Sequence, residues 1–116
     1  MDGVIVDSEP THQKMECEMF EELGLVISAE EHKDYIGTSS MDMWTKISQR
    51  HYLEKTPEQL LLYGRKKYWE ALDNDRVPLV EGVLSLIAKL HTSKYILQVA
   101  SSATRPTVDK VLAHFN

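Results

Sequence analysis

The sequence predicts an α/β fold: a partial, Rossmann-like core with a parallel sheet, into which an all-helical domain is inserted. Two short apolar runs suited to buried strands, Val4–Val6 and Tyr95–Ala100, lie near opposite ends of the 116-residue chain. Helical periodicity follows each run. Between the runs lies a helical block of roughly seventy residues, which is too long for a simple crossover and therefore indicates an inserted domain.

The first helices of the block carry local start and stop signals. Apolar residues at spacings of three and four predict an amphipathic helix over Glu9–Leu23, and Gly24 is a candidate C-cap. Ser28 and Glu31 have the spacing of a capping box for a short helix that ends near Tyr35. The apolar side of the first helix comprises Met15, Met19, Phe20 and Leu23.

The next two helices are predicted in the same way. Residues 37–40 form a turn in which Ser39 or Ser40 caps a helix that contains Met43, Trp44, Ile47 and Tyr52. Thr56 supplies a cap hydroxyl, with Pro57 at the first helical position and Gln59 three residues after the cap. That helix should run to about Leu72. Its predicted buried side comprises Leu61, Leu62, Tyr68, Trp69 and Leu72.

The pattern changes after Pro78. A helical stripe of Val83, Leu86, Ile87 and Leu90 precedes the second strand, and Arg105-Pro106 opens a last helix. The order of these elements assigns residues 1–8 and 78–116 to a discontinuous core and residues 9–77 to the helical domain.

Composition narrows the class of protein. A net charge of -5 argues against nucleic-acid binding, which needs clustered basic residues. A single cysteine gives no intrachain disulfide, and no apolar run is long enough to cross a bilayer. The default expectation is a cytoplasmic protein that binds neither nucleic acid nor membrane.

The opening ten residues, MDGVIVDSEP, combine an acidic residue and glycine with a β-branched run and a second acidic loop. This stretch resembles the first motif of the haloacid dehalogenase (HAD) superfamily, Asp-x-Asp-Gly followed by an apolar run. The alternative is that Asp2-Gly3 is only a turn. The order and spacing of the motifs resemble the β-phosphoglucomutase and sugar-phosphate phosphatase branch. The resemblance covers the whole chain and implies truncation at both ends.

The resemblance also implies a mechanism. An aspartate attacks phosphorus and forms an aspartyl-phosphate, while Mg²⁺ and hydrogen-bond donors stabilise the transferred group. Asp2 matches the acid/base residue, and its backbone carbonyl would also coordinate Mg²⁺. The nucleophile would precede Met1, so the chain as given is expected to be inactive. The alternative for Asp2 is a frayed, solvated terminal acid.

Phosphate contacts are implied at two places. Ser101 follows the second apolar run and matches the family's second motif, and the resemblance adds Ser102 and Gly3. The alternative for Ser101 and Ser102 is turn and N-cap chemistry.

Substrate contacts are implied in the helical domain and in the hinge before it, at Glu9, His12 and the loop residues Gly37, Thr38 and Ser39. His12 could equally be an ordinary exposed helix histidine, and the loop could equally be a capping turn. The β-phosphoglucomutase pattern tends to have arginine where Ser40 stands, and the serine found here favours phosphatase over mutase chemistry.

The resemblance therefore predicts a Mg²⁺-dependent phosphoric monoester hydrolase of the HAD type that acts on a small phosphorylated metabolite of the sugar phosphate class. The alternatives are a β-phosphoglucomutase-like mutase and a non-catalytic helical interaction fragment. The full-length enzyme is expected to be a monomer.

Overall fold

The computed structural model describes residues 1–115, and Asn116, the last residue of the predicted core segment, lies outside the described residues. Six helices follow one another within residues 1–115. They are α1 (Glu9–Glu22), α2 (Ala29–Lys33), α3 (Ser40–His51), α4 (Pro57–Asp73), α5 (Val83–Thr92) and α6 (Arg105–His114). The chain divides into two compact units, one formed by Lys14–Tyr68 and the other by Met1–Gln13 with Trp69–Asn116.

The predicted parallel sheet is wrong for the part of the chain that the structure describes. Pairing there is limited to two isolated bridges, Asp2 with Val6 and Val6 with Leu79. The run Tyr95–Ala100 is exposed throughout and has no regular secondary structure. A strand depends on hydrogen bonds to a neighbouring strand, and among residues 1–115 the two apolar runs do not pair with each other.

The first apolar run forms a turn because the chain folds back on its own start. The carbonyl of Met1 accepts the N–H of Ile5 at 2.8 Å, and the N–H of Gly3 donates to the carbonyl of Val6 at 2.7 Å. Gly3 has a φ of 67°, which glycine adopts without the steric cost of a Cβ atom. The backbone at Asp2-Gly3 is therefore a turn, the alternative to a strand motif. Val4, in the first apolar run, is 65% exposed.

The unit formed by Lys14–Tyr68 has its own apolar core, which α1, α3 and α4 supply together with Tyr35. Its buried members are Met19, Phe20, Tyr35, Met43, Trp44, Ile47 and Leu60. Phe20 and Trp44 pack edge to face with their ring centroids 5.8 Å apart, a favoured arrangement of aromatic pairs. Leu62, predicted to be buried, is 59% exposed because Leu60 occupies the inward side of this turn of α4.

Local signals set most helix ends. Ser28 and Ser39 are the N-caps of α2 and α3, and their side chains accept the N–H of Glu31 and Asp42. At the start of α4, the N–H of Thr56 donates to Gln59 Oε1 at 3.0 Å and the N–H of Gln59 donates back to Thr56 at 3.3 Å. This reciprocal pair is a capping box.

The other unit is built around the loop that opens the chain. The N–H of Asp7 donates to the carbonyl of Pro78 at 2.8 Å, and the N–H of Val80 donates to the carbonyl of Ile5 at 2.9 Å. Thr11 on α1 adds a hydrogen bond to the carbonyl of Arg76 at 3.0 Å. The fully buried side chains of this unit are Val6, Leu72, Val77 and Val111. Within this unit the opening residues are therefore fixed to the segment that follows α4.

Candidate functional site

The acidic residue of the opening motif is hydrogen-bonded at the beginning of α1. Ser8 Oγ donates to Asp2 Oδ1 at 2.8 Å. Ser8 is only 2% exposed, whereas Asp2 lies at the surface. The carbonyl of Ser8 accepts the N–H of His12 at 2.9 Å, so Ser8 occupies the N-cap position of α1. An N-cap serine hydroxyl commonly accepts a helix N–H, whereas the Ser8 hydroxyl donates to the Asp2 carboxylate and orients it.

The two predicted substrate residues on α1 lie within its first turns. Glu9 is exposed, and its Oε1 accepts a hydrogen bond from Gln13 Nε2 at 3.1 Å. His12 is half-buried, one turn after Ser8. Glu9 is therefore accessible, and the substrate-contacting role of Glu9 and His12 stays a prediction.

The predicted phosphate-binding residues are not gathered at a strand end, because the sheet that would align them does not form. Ser101 and Ser102 are exposed, and Ser101 Oγ accepts the N–H of Ala103 at 3.1 Å. This hydrogen bond between a serine hydroxyl and a nearby backbone N–H is typical of a turn, which is the alternative interpretation of Ser101. The N–H of Gly3 is used inside the opening turn. Phosphate binding by these residues stays a prediction.

The side chains around Asp2 determine whether a magnesium ion could be held there. Within residues 1–115 no group of three or more His, Cys, Asp or Glu residues is placed to hold a metal ion. Mg²⁺ requires near-octahedral oxygen coordination, with carboxylates completed by water or phosphate. Asp2 offers one carboxylate, already hydrogen-bonded to Ser8. The described residues therefore do not fit a magnesium site of their own.

The predicted substrate loop joins α2 to α3 in the Lys14–Tyr68 unit. Gly37 has a φ of 77°, and Thr38 Oγ1 donates to the carbonyl of Tyr35 at 2.7 Å. Ser39 Oγ accepts the N–H of Asp42 at 3.1 Å and donates to Asp42 Oδ2 at 2.8 Å. The loop is thus a capping turn, as the alternative states, and its contact with a substrate stays a prediction.

A polar cluster lies next to this loop, and we call it the Glu31 network (Glu31, Tyr35, Arg50 and His51). Glu31 Oε1 accepts a hydrogen bond from the Tyr35 hydroxyl at 2.6 Å and contacts His51 Nε2 at 2.9 Å. Arg50 Nη1 lies 3.2 Å from the same oxygen. The Glu31 side chain is 14% exposed, so one partly buried carboxylate oxygen is shared by three side chains.

These contacts move the ionisation of the residues involved. The hydrogen bonds from Tyr35 and then His51 lower the pKa of Glu31 to about 2. Burial, followed by the hydrogen bond to Glu31, raises the pKa of Tyr35 to about 12. The hydrogen bond to Glu31 also raises the pKa of Arg50. Glu31 is therefore a carboxylate and Tyr35 a neutral donor over the whole physiological pH range.

Sequence reasoning missed both Ser8 and the Glu31 network. Glu31 and Tyr35 are four residues apart, a spacing that places two side chains on the same side of a helix. This spacing is visible in the sequence. Arg50 and His51 on α3 are distant from Glu31 in sequence, so no local pattern indicates that they contact it. His51 is half-buried against Glu31.

Comparisons with known proteins add the family. A family model described as haloacid dehalogenase-like hydrolase matches residues 1–116. A comparison with curated proteins gives no match. No helix among residues 1–115 combines the length and apolar character needed to span a membrane. Because the family model matches from the opening motif to the last residue, the chain belongs to the haloacid dehalogenase-like hydrolase family.

Proposed function

We propose that this member of the family hydrolyses phosphate monoesters of small metabolites, with sugar phosphates as the substrate class. The observation that carries the proposal is the family match over residues 1–116, which includes the opening acidic motif. Asp2 is the proposed acid/base residue: it gives a proton to the leaving oxygen and takes one from the attacking water. The hydrogen bond from Ser8 limits the orientations available to its carboxylate.

The remaining roles in the proposal come from the family resemblance. Ser101 and Ser102 would contact the phosphoryl oxygens, and the loop Gly37–Ser39 would contact the leaving group. Mg²⁺ dependence, a cytoplasmic location and a monomeric full-length enzyme are kept as predictions from the sequence.

The test is turnover of p-nitrophenyl phosphate with Mg²⁺, measured for the 116-residue chain and for the product of the reading frame continued on both sides. We expect activity in the longer product, with a large loss in Asp2→Asn and little change in Asp109→Asn. Asp109 is a matched control because it is also an exposed aspartate that accepts a side-chain hydrogen bond, here from Arg105 within α6.

Two outcomes would change the proposal. Comparable turnover in both proteins, abolished by Asp2→Asn, would make Asp2 or Asp7 the attacking nucleophile. No turnover of any phosphate monoester by either protein would reject the hydrolase proposal. It would favour a non-catalytic role, for which the Lys14–Tyr68 unit provides helices packed on their own apolar core.

A further inference from the structure

A continuous set of hydrogen bonds joins the Glu31 network to the loop between α2 and α3. The Tyr35 hydroxyl donates to Glu31 at 2.6 Å. The carbonyl of the same residue accepts both the N–H of Thr38 at 3.1 Å and Thr38 Oγ1 at 2.7 Å. Tyr35 is 4% exposed, so its ring has little freedom to move within the core. The position of Thr38 therefore depends on how firmly Tyr35 is held.

The same segment is attached to α3 at both ends of that helix. His51 and Arg50, in the last turn of α3, contact Glu31 at 2.9 Å and 3.2 Å. Ser39 caps the first turn of α3 through the N–H of Asp42. Residues 31–39 thus run along α3 between two polar attachments. Weakening the attachment at Glu31 leaves the loop held mainly by the Ser39 cap.

We propose that Glu31, Tyr35 and His51 position the loop Gly37–Ser39, and that loss of the positive charge on His51 loosens the loop. The importance of this device for catalysis rests on the proposed function, in which the loop contacts the leaving group. The physical linkage itself does not depend on that function.

The charges around Glu31 single out His51 as the group that changes. Imidazole is the side chain whose charge ordinarily changes between pH 5 and 8. Glu31 stays ionised and Tyr35 stays protonated over that range, because their pKa values are about 2 and about 12. Arg50 is permanently charged, and it also approaches Asp34 Oδ2 at 3.8 Å.

One further histidine on α2 has to be separated from His51. His32 Nε2 lies 3.5 Å from Glu16 Oε2 of α1, and its ring packs edge to face against Phe20 with the centroids 6.1 Å apart. The ion-pair partner of His32 is Glu16 and not Glu31. His32 therefore provides a matched control for a pH response of the loop.

The first experiment follows the amide resonance of Thr38 by NMR between pH 5 and 8. In the wild-type chain we expect it to move with the same midpoint as the His51 ring resonances, and the loop amides to become more mobile as the pH rises. His51→Gln should abolish this response, whereas His32→Gln should keep it. A response that survives His51→Gln, or that disappears only in His32→Gln, would overturn the role of His51.

The second experiment measures amide hydrogen exchange of Thr38 at constant pH. Tyr35→Phe keeps the buried ring and removes the hydroxyl, and we expect Thr38 protection to fall about fivefold, the effect of losing one ordinary hydrogen bond. Tyr63→Phe is the control, because the Tyr63 hydroxyl also donates to a glutamate, Glu22, at 2.8 Å but does not lead to the loop. Equal protection in the two variants would overturn the linkage.

Glu31→Gln provides a second variant if His51→Gln loses helical circular dichroism. It removes the charge that His51 pairs with and should also abolish the pH response of Thr38, while Glu30→Gln on the exposed side of α2 should preserve it. An unchanged response in Glu31→Gln would overturn the proposal. Neither readout requires turnover, so failure of the loop linkage and failure of the hydrolase proposal are separate results.

Discussion

Replacing Glu31 with glutamine should destabilise the Lys14–Tyr68 unit at neutral pH but not in strong acid. The substitution preserves the size of the side chain and an oxygen that can accept the Tyr35 hydroxyl. It removes the negative charge that His51 and Arg50 contact at 2.9 Å and 3.2 Å. The predicted loss of stability therefore measures the contribution of the Glu31 charge and not that of its side-chain packing.

The magnitude follows from the change in pKa on folding. The pKa of Glu31 is about 2 in the folded chain, against 4.5 for an unperturbed glutamate. At about 1.36 kcal/mol per pH unit, this difference sets a ceiling of about 3 kcal/mol. Solvent screens charges near the surface, so we expect Glu31→Gln to lower the free energy of unfolding by about 1–2 kcal/mol.

The direction with pH follows from the sign of the pKa change. A carboxyl whose pKa is lowered by folding stabilises the folded state fully above its unfolded pKa, here 4.5. The stabilisation is lost as the pH falls towards the folded pKa of about 2. Wild-type and Glu31→Gln chains should therefore differ most at neutral pH and converge in acid.

The assay is urea unfolding followed by tryptophan fluorescence at a series of pH values. The chain has two tryptophans, and Trp69→Phe leaves Trp44, which is 2% exposed in the core of the Lys14–Tyr68 unit. Glu30→Gln, an exposed substitution on the same helix, is the matched control and should change stability little at any pH. A Glu31→Gln effect that is constant with pH, or equal to that of Glu30→Gln, would refute the electrostatic reasoning.

Three further substitutions test packing, capping and backbone strain in urea unfolding experiments. Ile47→Ala empties a position that is 0% exposed and should lower the free energy of unfolding by about 2–5 kcal/mol. Ser39→Ala removes the α3 cap and should cost about 1 kcal/mol, whereas Ser40→Ala, inside the helix, should cost less. Lys94→Gly should stabilise by about 1 kcal/mol, because Lys94 has a φ of 63° after α5, a conformation that glycine adopts without strain.

Each of these has an opposing result that would count against it. Ile47→Ala should cost far more than Ile36→Ala, because Ile36 is 73% exposed, and similar losses would contradict the assigned core. Equal effects of the two serine substitutions would contradict the cap assignment. Ala88→Gly, in the interior of α5, should destabilise by about 1 kcal/mol, and a loss of stability in Lys94→Gly would contradict the strain argument.

The helices were predictable because their signals are local. Gly24 follows the end of α1 and has a φ of 67°. The N–H of the next residue, Leu25, donates to the carbonyl of Phe20 at 2.8 Å, which is the hydrogen bond expected after a glycine C-cap. The Thr56–Gln59 pair forms the reciprocal cap of α4 that its spacing indicates. A cap or an amphipathic turn is complete within four or five residues, so the sequence of that stretch is enough to identify it.

The apolar runs were misassigned because strand formation depends on distant residues. Val4–Val6 and Tyr95–Ala100 have the composition of buried strands, but composition cannot supply the neighbouring strand that satisfies their N–H and C=O groups. Among residues 1–115 the first run turns back onto Met1 and then pairs with residues 78–80. The family assignment survived this error because a motif can be recognised without the sheet that was expected around it.

The candidate sites divide in the same way. The sequence by itself determined the acidic opening motif, the helix caps and the family, since each depends on residue types at fixed short spacings. Only the tertiary structure decided that Ser8 donates to Asp2 and that Glu31 is shared by Tyr35, Arg50 and His51. The physical reason is that hydrogen bonds and ion pairs act over a few ångströms. The fold determines which side chains come that close. A separation of 20 positions in the sequence, as for Glu31 and His51, does not indicate whether two side chains are in contact.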